Sequence, residues 1–143
     1  MKRYEVYCPE DIKPFGDGAY ESRLLLDCSM AGEKCVNVNH GTVAPGKGTG
    51  EPGDVGGVHE KGEIYFGVSG EADVYLDGKP VLMKQGTLIY IPGGVGHFIV
   101  NRSQTEPFVL LTIWSDEADN DTHSARVKAW GRSYMRADEA EGS

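Results

Sequence analysis

The sequence predicts an all-β domain of sandwich or barrel type. Three observations predict it. Twenty glycines and seven prolines fall between short runs of β-branched and aromatic residues. The runs recur at about 8 to 12 residues, the spacing of strands in sandwiches and barrels. Within several of them apolar residues follow a period of two rather than the 3.6 of a helix.

Taken in order, strands are expected at 20–26, 34–43, 63–68, 71–76, 79–83, 87–91, 97–101 and 108–114. The segment Glu71-Ala-Asp-Val-Tyr-Leu alternates polar and apolar residues, as a half-buried strand does. Asp77-Gly78 then predicts a two-residue hairpin, because both residues readily take the positive φ of a type I′ turn. Phe108-Val-Leu-Leu-Thr-Ile-Trp is nearly continuous in apolar character and reads as a more deeply buried strand. Residues 45–57, PGKGTGEPGDVGG, are too rich in turn residues for a regular element and are expected to form a mobile loop leading to His59. The segment 115–143 is acidic and polar, with scattered apolar residues that allow a short helix around 125–130.

At 143 residues the chain matches one domain and one core. The division expected is a barrel core at about 34–114, an N-terminal strand segment at 1–33 and a C-terminal tail at 115–143. No run approaches the roughly 18 apolar residues of a membrane span. The opening MKRYEVYCPE has no apolar signal region, so the address expected is cytoplasmic. Cys8, Cys28 and Cys35 are odd in number and lack CxxC spacing, which predicts reduced thiols rather than a disulfide framework or zinc ribbon. Fourteen Lys and Arg against twenty-two Asp and Glu give a net charge of -8, which repels nucleic acid and anionic membranes. Small molecules or proteins are the partners expected.

One stretch carries more than structure. Gly86, Pro92, Gly94, His97 and Asn101 have the spacing G-x5-P-x-G-x2-H-x3-N. Upstream, Glu63 to Gly70 supplies E-x6-G, with His59 four residues before the glutamate. Together these resemble the two sequence motifs of the cupin superfamily. The resemblance implies a double-stranded β-helix of jelly-roll type, and a chain of small cupin kind implies a homodimer, with MKRYEVYC as a plausible exchanged segment. At one point the chain departs from the pattern: Gly57 stands where the family's earlier histidine is expected.

Strand alternation adds a physical reason. Glu63 and Tyr65 should point to one face and Ile64 and Phe66 to the other, while His97, Ile99 and Asn101 share a face. A barrel that gathers these strands brings His59, Glu63 and His97 within reach of one ion. Two imidazoles and a carboxylate suit Fe(II), Mn(II), Ni(II), Co(II) or Zn(II) and leave positions open for water and substrate. A glutamate entering an apolar strand needs such a cation, or hydrogen bonds, to remain ionised. The gap at Gly57 leaves three readings: a vacant position, substitution by His40, or loss of the metal.

Of the remaining residues, Asn101 is read as a structural side chain, Gly86, Pro92 and Gly94 as turn formers, and His123 as solvated. Tyr65 and Tyr90 either line the cavity or pack. The activity that follows is metal-assisted isomerase or lyase chemistry on a small hydroxy-carbonyl or sugar-like metabolite, through an enediolate, with Tyr65 or His40 as the proton carrier. The stretch Glu63 to Glu71 also resembles the corresponding stretch of cupin-type glucose-6-phosphate isomerases. Non-haem iron dioxygenation and non-catalytic binding of a sugar or metabolite are the alternatives.

Overall fold

The computed structural model describes residues 4–28, 36–115 and 121–141 of the chain. Nine strands form among them: β1 (Phe15–Gly16), β2 (Tyr20–Leu26), β3 (Asn37–Val43), β4 (Glu63–Ser69), β5 (Glu71–Leu76), β6 (Lys79–Lys84), β7 (Leu88–Ile91), β8 (His97–Val100) and β9 (Phe108–Trp114). Two helices follow, α1 (Asp121–Trp130) and α2 (Ala137–Glu141). Each expected strand is therefore present, with ends shifted by a few residues. Lys34 and Cys35, at the start of the expected 34–43 strand, lie outside the described residues.

The strands make two antiparallel sheets. One has the order β1-β2-β3-β9-β4-β7 and the other β6-β5-β8. Sequence neighbours are split between them because β4 runs straight into β5 through Gly70, whose φ of 74° lets the chain turn from one sheet to the other. Between β5 and β6, Asp77 and Gly78 have φ of 48° and 82°, the two positive values that a type I′ turn requires. Val43, Val74, Met83, Phe108 and Leu110 are fully buried between the sheets and form the centre of the core.

Residues 45–57 form no strand or helix, as their turn-rich composition predicts. They run along β8 and are tied to it. Thr49 donates its backbone N–H to the Ile99 carbonyl at 2.8 Å, and its Oγ1 accepts from the Ile99 N–H at 2.9 Å. The Asn101 N–H reaches the Lys47 carbonyl at 2.8 Å. The glycines permit this approach: a Cβ at Gly56 would lie 2.4 Å from the His97 carbonyl oxygen, and its φ is 83°. The segment thus acts as an irregular edge that covers β8 and carries the chain to His59.

The described segments on either side of the strands also pack on the barrel. Trp130 of α1 meets the Phe15 ring edge-on at 5.2 Å. Lys13 donates its backbone N–H to the Met135 carbonyl at 2.7 Å, and Arg23 of β2 donates to the Pro9 carbonyl at 2.9 Å. Segment 4–14 forms no strand, only a short 3-10 turn at Pro9–Asp11. Among the described residues no helix is long and apolar enough to cross a membrane.

Candidate metal centre

The inward faces of β3, β9 and β4 change from apolar to polar along their length. In register, Val43 stands beside Phe108; next come Gly41, Leu110 and Gly67; then Asn39, Thr112 and Tyr65; and last Asn37, Trp114 and Glu63. The first rows make the core. The last rows, Asn37 apart, make the wall of a cavity of about 330 Å³, which also takes in His59, His97, Tyr20 and Arg126.

Glu63 opens β4 with its side chain 12 % exposed, and two imidazoles converge on it. His59 Nε2 lies 3.3 Å from Glu63 Oε2, and His97 Nε2 lies 3.7 Å from the same oxygen. One ligand atom from each of the three residues falls within 4.8 Å of the others. The motif glycines help to set this geometry. Gly94, with φ of 88°, donates its N–H to the His59 carbonyl at 2.9 Å and so fixes the backbone of the first imidazole.

The tautomer of His97 follows from its other nitrogen. Nδ1 lies 3.0 Å from the Val95 carbonyl, which can only accept, so Nδ1 carries the proton and Nε2 of the neutral ring presents a lone pair toward Glu63. A lone pair and a carboxylate oxygen facing each other across a mostly buried gap require a shared cation. A proton can fill that role. Although burial pushes the His97 pKa down, the neighbouring Glu63 carboxylate and the hydrogen bond to the Val95 carbonyl outweigh it, and the net shift is upward. A divalent metal can replace that proton, and the donor set fits one.

Gly57, at the position of the family's earlier histidine, is also in place. It pairs with His97 in an antiparallel bridge. A Cβ there would meet only His59 Nε2 at 3.8 Å and the His97 carbonyl oxygen at 3.9 Å, both ordinary contacts. The backbone site of a further ligand is retained, and its side-chain space is open.

Of the residues expected to serve chemistry, Tyr65 lines the cavity, with its ring edge-on to His97 at a centroid distance of 5.8 Å. His40 does not. On β3 the inward positions are Asn37, Asn39, Gly41 and Val43, so alternation turns His40 to the outer face beside Arg23, and the expectation that it serves or replaces a ligand is corrected. Tyr90 is 61 % exposed on the outer face of β7 and does not line the cavity. Asn101 is structural as expected: its Nδ2 donates to the carbonyls of Val43, Ala44 and Glu106 at 3.2, 3.4 and 2.9 Å. Cys8 and Cys28 keep their thiols. Cys35 and the His123 side chain lie outside the described residues.

The cavity residues with no counterpart among the sequence expectations include Tyr20, Asn39 and Arg126. The Tyr20 hydroxyl accepts from Asn39 Nδ2 at 3.2 Å. Burial, with the nearby Glu63 charge, pushes the Tyr20 phenol up to about 12. The same two causes hold the Tyr65 phenol well above its ordinary value. Both phenols therefore keep their protons at neutral pH. A signal for Asn39 was present in Val36-Asn-Val-Asn-His, where asparagine, poorly suited to strands, alternates through one.

A family model described as a cupin domain matches residues 39–114. A glucose-6-phosphate isomerase from Thermococcus kodakarensis is 25% identical over 140 residues, covering 94% of this chain and 66% of that protein. One from Thermococcus onnurineus is 30% identical over 134 residues, covering 90% of this chain and 63% of that protein. The chain thus spans slightly less than two thirds of the length of these curated relatives. Among solved structures, a Cupin 2 conserved barrel domain protein from Salinispora arenicola superposes with a TM-score of 0.60 at 26% identity, covering 80% of this chain and 90% of that one. The motif spacing, the two-sheet barrel and the match over more than half of the sequence converge on one assignment: this chain belongs to the cupin family.

Proposed function

We propose that the chain is a metal-dependent enzyme acting on a small hydroxy-carbonyl or sugar-like metabolite, by isomerase- or lyase-type chemistry through an enediolate. One observation carries this reading: His59 Nε2, a Glu63 oxygen and His97 Nε2 converge at a cavity that also holds two protonated phenols. His59, Glu63 and His97 would hold one divalent cation of the Fe, Mn, Zn, Ni or Co type. A cation bound there supplies Lewis-acid polarisation of a substrate carbonyl.

The chain's own residues orient the ligands and bind the substrate oxygens. Val95 orients His97 through Nδ1, and Gly94 holds the His59 backbone. Tyr65, beside His97, hydrogen-bonds to a substrate oxygen as negative charge develops on it, its proton staying on the phenol. Tyr20, braced by Asn39, supplies a second donor. The largely buried walls lower the local dielectric and strengthen each of these contacts. The relatives named glucose-6-phosphate isomerase support a sugar-like substrate.

A second reading, oxygen activation at Fe(II), is favoured by Gly57. With no side chain there, the ligand set is two histidines and one carboxylate, the facial triad of non-haem iron oxygenases. Elemental analysis of protein purified without added metal, followed by isomerase or lyase assays and oxygen-uptake measurements on hydroxy-carbonyl and sugar substrates, separates the two. Zinc or manganese with isomerisation supports the first; iron with substrate-dependent oxygen uptake supports the second. Ligand binding by protein that takes up no metal overturns both in favour of a binding barrel.

A further inference from the structure

Arg126 heads the fully buried side chains of the described residues, with 1 % of its surface exposed. It belongs to α1, outside the span of the matched cupin domain, yet it lines the same cavity as the metal centre. The packing of Trp130 against Phe15 holds α1 against the barrel and delivers the side chain there. One arm of the guanidinium is fixed: Nη2 donates to Ser22 Oγ and, at 2.8 Å, to Asn39 Oδ1. The other arm, Nη1, is buried and has no hydrogen-bond partner.

A buried cation with an unpaired donor is costly, and native structures rarely leave one without a reason. Burial lowers the guanidinium pKa to about 10, with the Asp27 charge acting in the opposite sense, so it remains a cation at neutral pH. A side chain serving only as a plug would place both arms on protein acceptors. Here one arm is fixed by Ser22 and Asn39 and the other is buried without a partner. At about 330 Å³ the cavity is at the small end of ligand pockets and suits a metabolite.

We propose that Arg126 is the anion anchor of this cavity: Nη1 receives an oxyanion, carboxylate or phosphate, carried by the same small substrate whose hydroxy-carbonyl end lies at His59, Glu63 and His97. The assignment of both groups to one substrate rests on the function proposed above, whereas anion binding at Arg126 does not require the metal. Substrates lacking the anionic group are disfavoured because they leave Nη1 buried and unpaired.

The test is calorimetric titration of the purified protein, before and after chelator treatment, with inorganic phosphate and separately with propionate. Saturable binding of at least one probe is expected in both preparations, and the probe that binds identifies a phosphorylated or a carboxylate substrate. Arg126→Gln should weaken binding about 10- to 100-fold, the usual worth of a hydrogen bond to a charged group, while Arg126→Lys retains part of it. Unaltered zinc affinity in Arg126→Gln shows an intact barrel. Where that variant does not fold, Asn39→Asp keeps the arginine but sets a carboxylate against it, and should abolish anion binding. Wild-type protein that binds neither probe, or variants that bind as wild type does, overturn the proposal. Full metal retention by His97→Ala would sink the metal reading alone and leave anion binding at Arg126 standing, so the two failures are distinguishable.

Discussion

Gly57 and His97 face each other across an antiparallel bridge, each donating its backbone N–H to the other's carbonyl at 3.0 Å. The bridge holds residue 57 beside the imidazole although it has no side chain to contribute. Because a Cβ there would make only ordinary contacts, the nearer at 3.8 Å to His59 Nε2, Gly57→His should place a third imidazole at the site without moving the backbone. Zinc or manganese binding should tighten severalfold in competition with a chromophoric chelator. Unchanged or weaker binding would mean that the space at residue 57 does not open onto the ion.

Removing a ligand should act in the opposite sense. Glu63→Gln keeps the volume but removes the charge on which both imidazoles converge, at 3.3 and 3.7 Å. Metal affinity should fall by more than the roughly 10- to 100-fold that loss of an outer-shell partner costs. His97→Ala should lose most of the metal carried through purification. Elemental analysis finding wild-type stoichiometry in either variant would refute the ligand assignment.

The phenols give a different signature. Tyr65→Phe should lower kcat by about 100-fold, the scale for losing one donor to a developing oxyanion, while metal content stays at the wild-type level. Gly41→Ala tests Tyr20 indirectly: its Cβ would lie 2.3 Å from the Tyr20 hydroxyl and must displace the ring. It should reproduce the effect of Tyr20→Phe. Since burial raises Tyr20 to about 12 and holds Tyr65 well above its ordinary value, neither should impose a basic limb on the activity profile near pH 10, where tyrosine ordinarily titrates. Such a limb that vanishes in Tyr65→Phe would contradict the protonated role.

His40 has a consequence for folding rather than chemistry. Burial, followed by the neighbouring Arg23 charge, lowers its pKa, and its Nδ1 is buried without a partner. The unfolded chain therefore takes up this proton more readily than the native one. The stabilising contribution is complete above the unfolded value of about 6.5 and is lost as pH falls through the lower native value. Denaturant midpoints should decline below pH 6.5, and His40→Gln should flatten the decline. An equal slope in the variant would mean that other groups govern acid sensitivity.

The sequence by itself determined the strands, the Asp77-Gly78 hairpin and the spacing that marks His59, Glu63 and His97, because these are local properties: a period of two, two residues that tolerate positive φ, and intervals along one chain. Asn101 was legible for the same reason. The face presented by β3 was not. In Val36-Asn-Val-Asn-His, Asn37 and Asn39 are inside, where Trp114, Ser22, Tyr20 and Arg126 satisfy their amides. That alternation turns His40 outward and brings Asn39 to the cavity. Residues 45–57 looked unattached because their partners lie on β8, and Arg126 looked like part of a solvated tail because its partners lie on β2 and β3. Such contacts join positions far apart in the chain, so only tertiary packing could decide them.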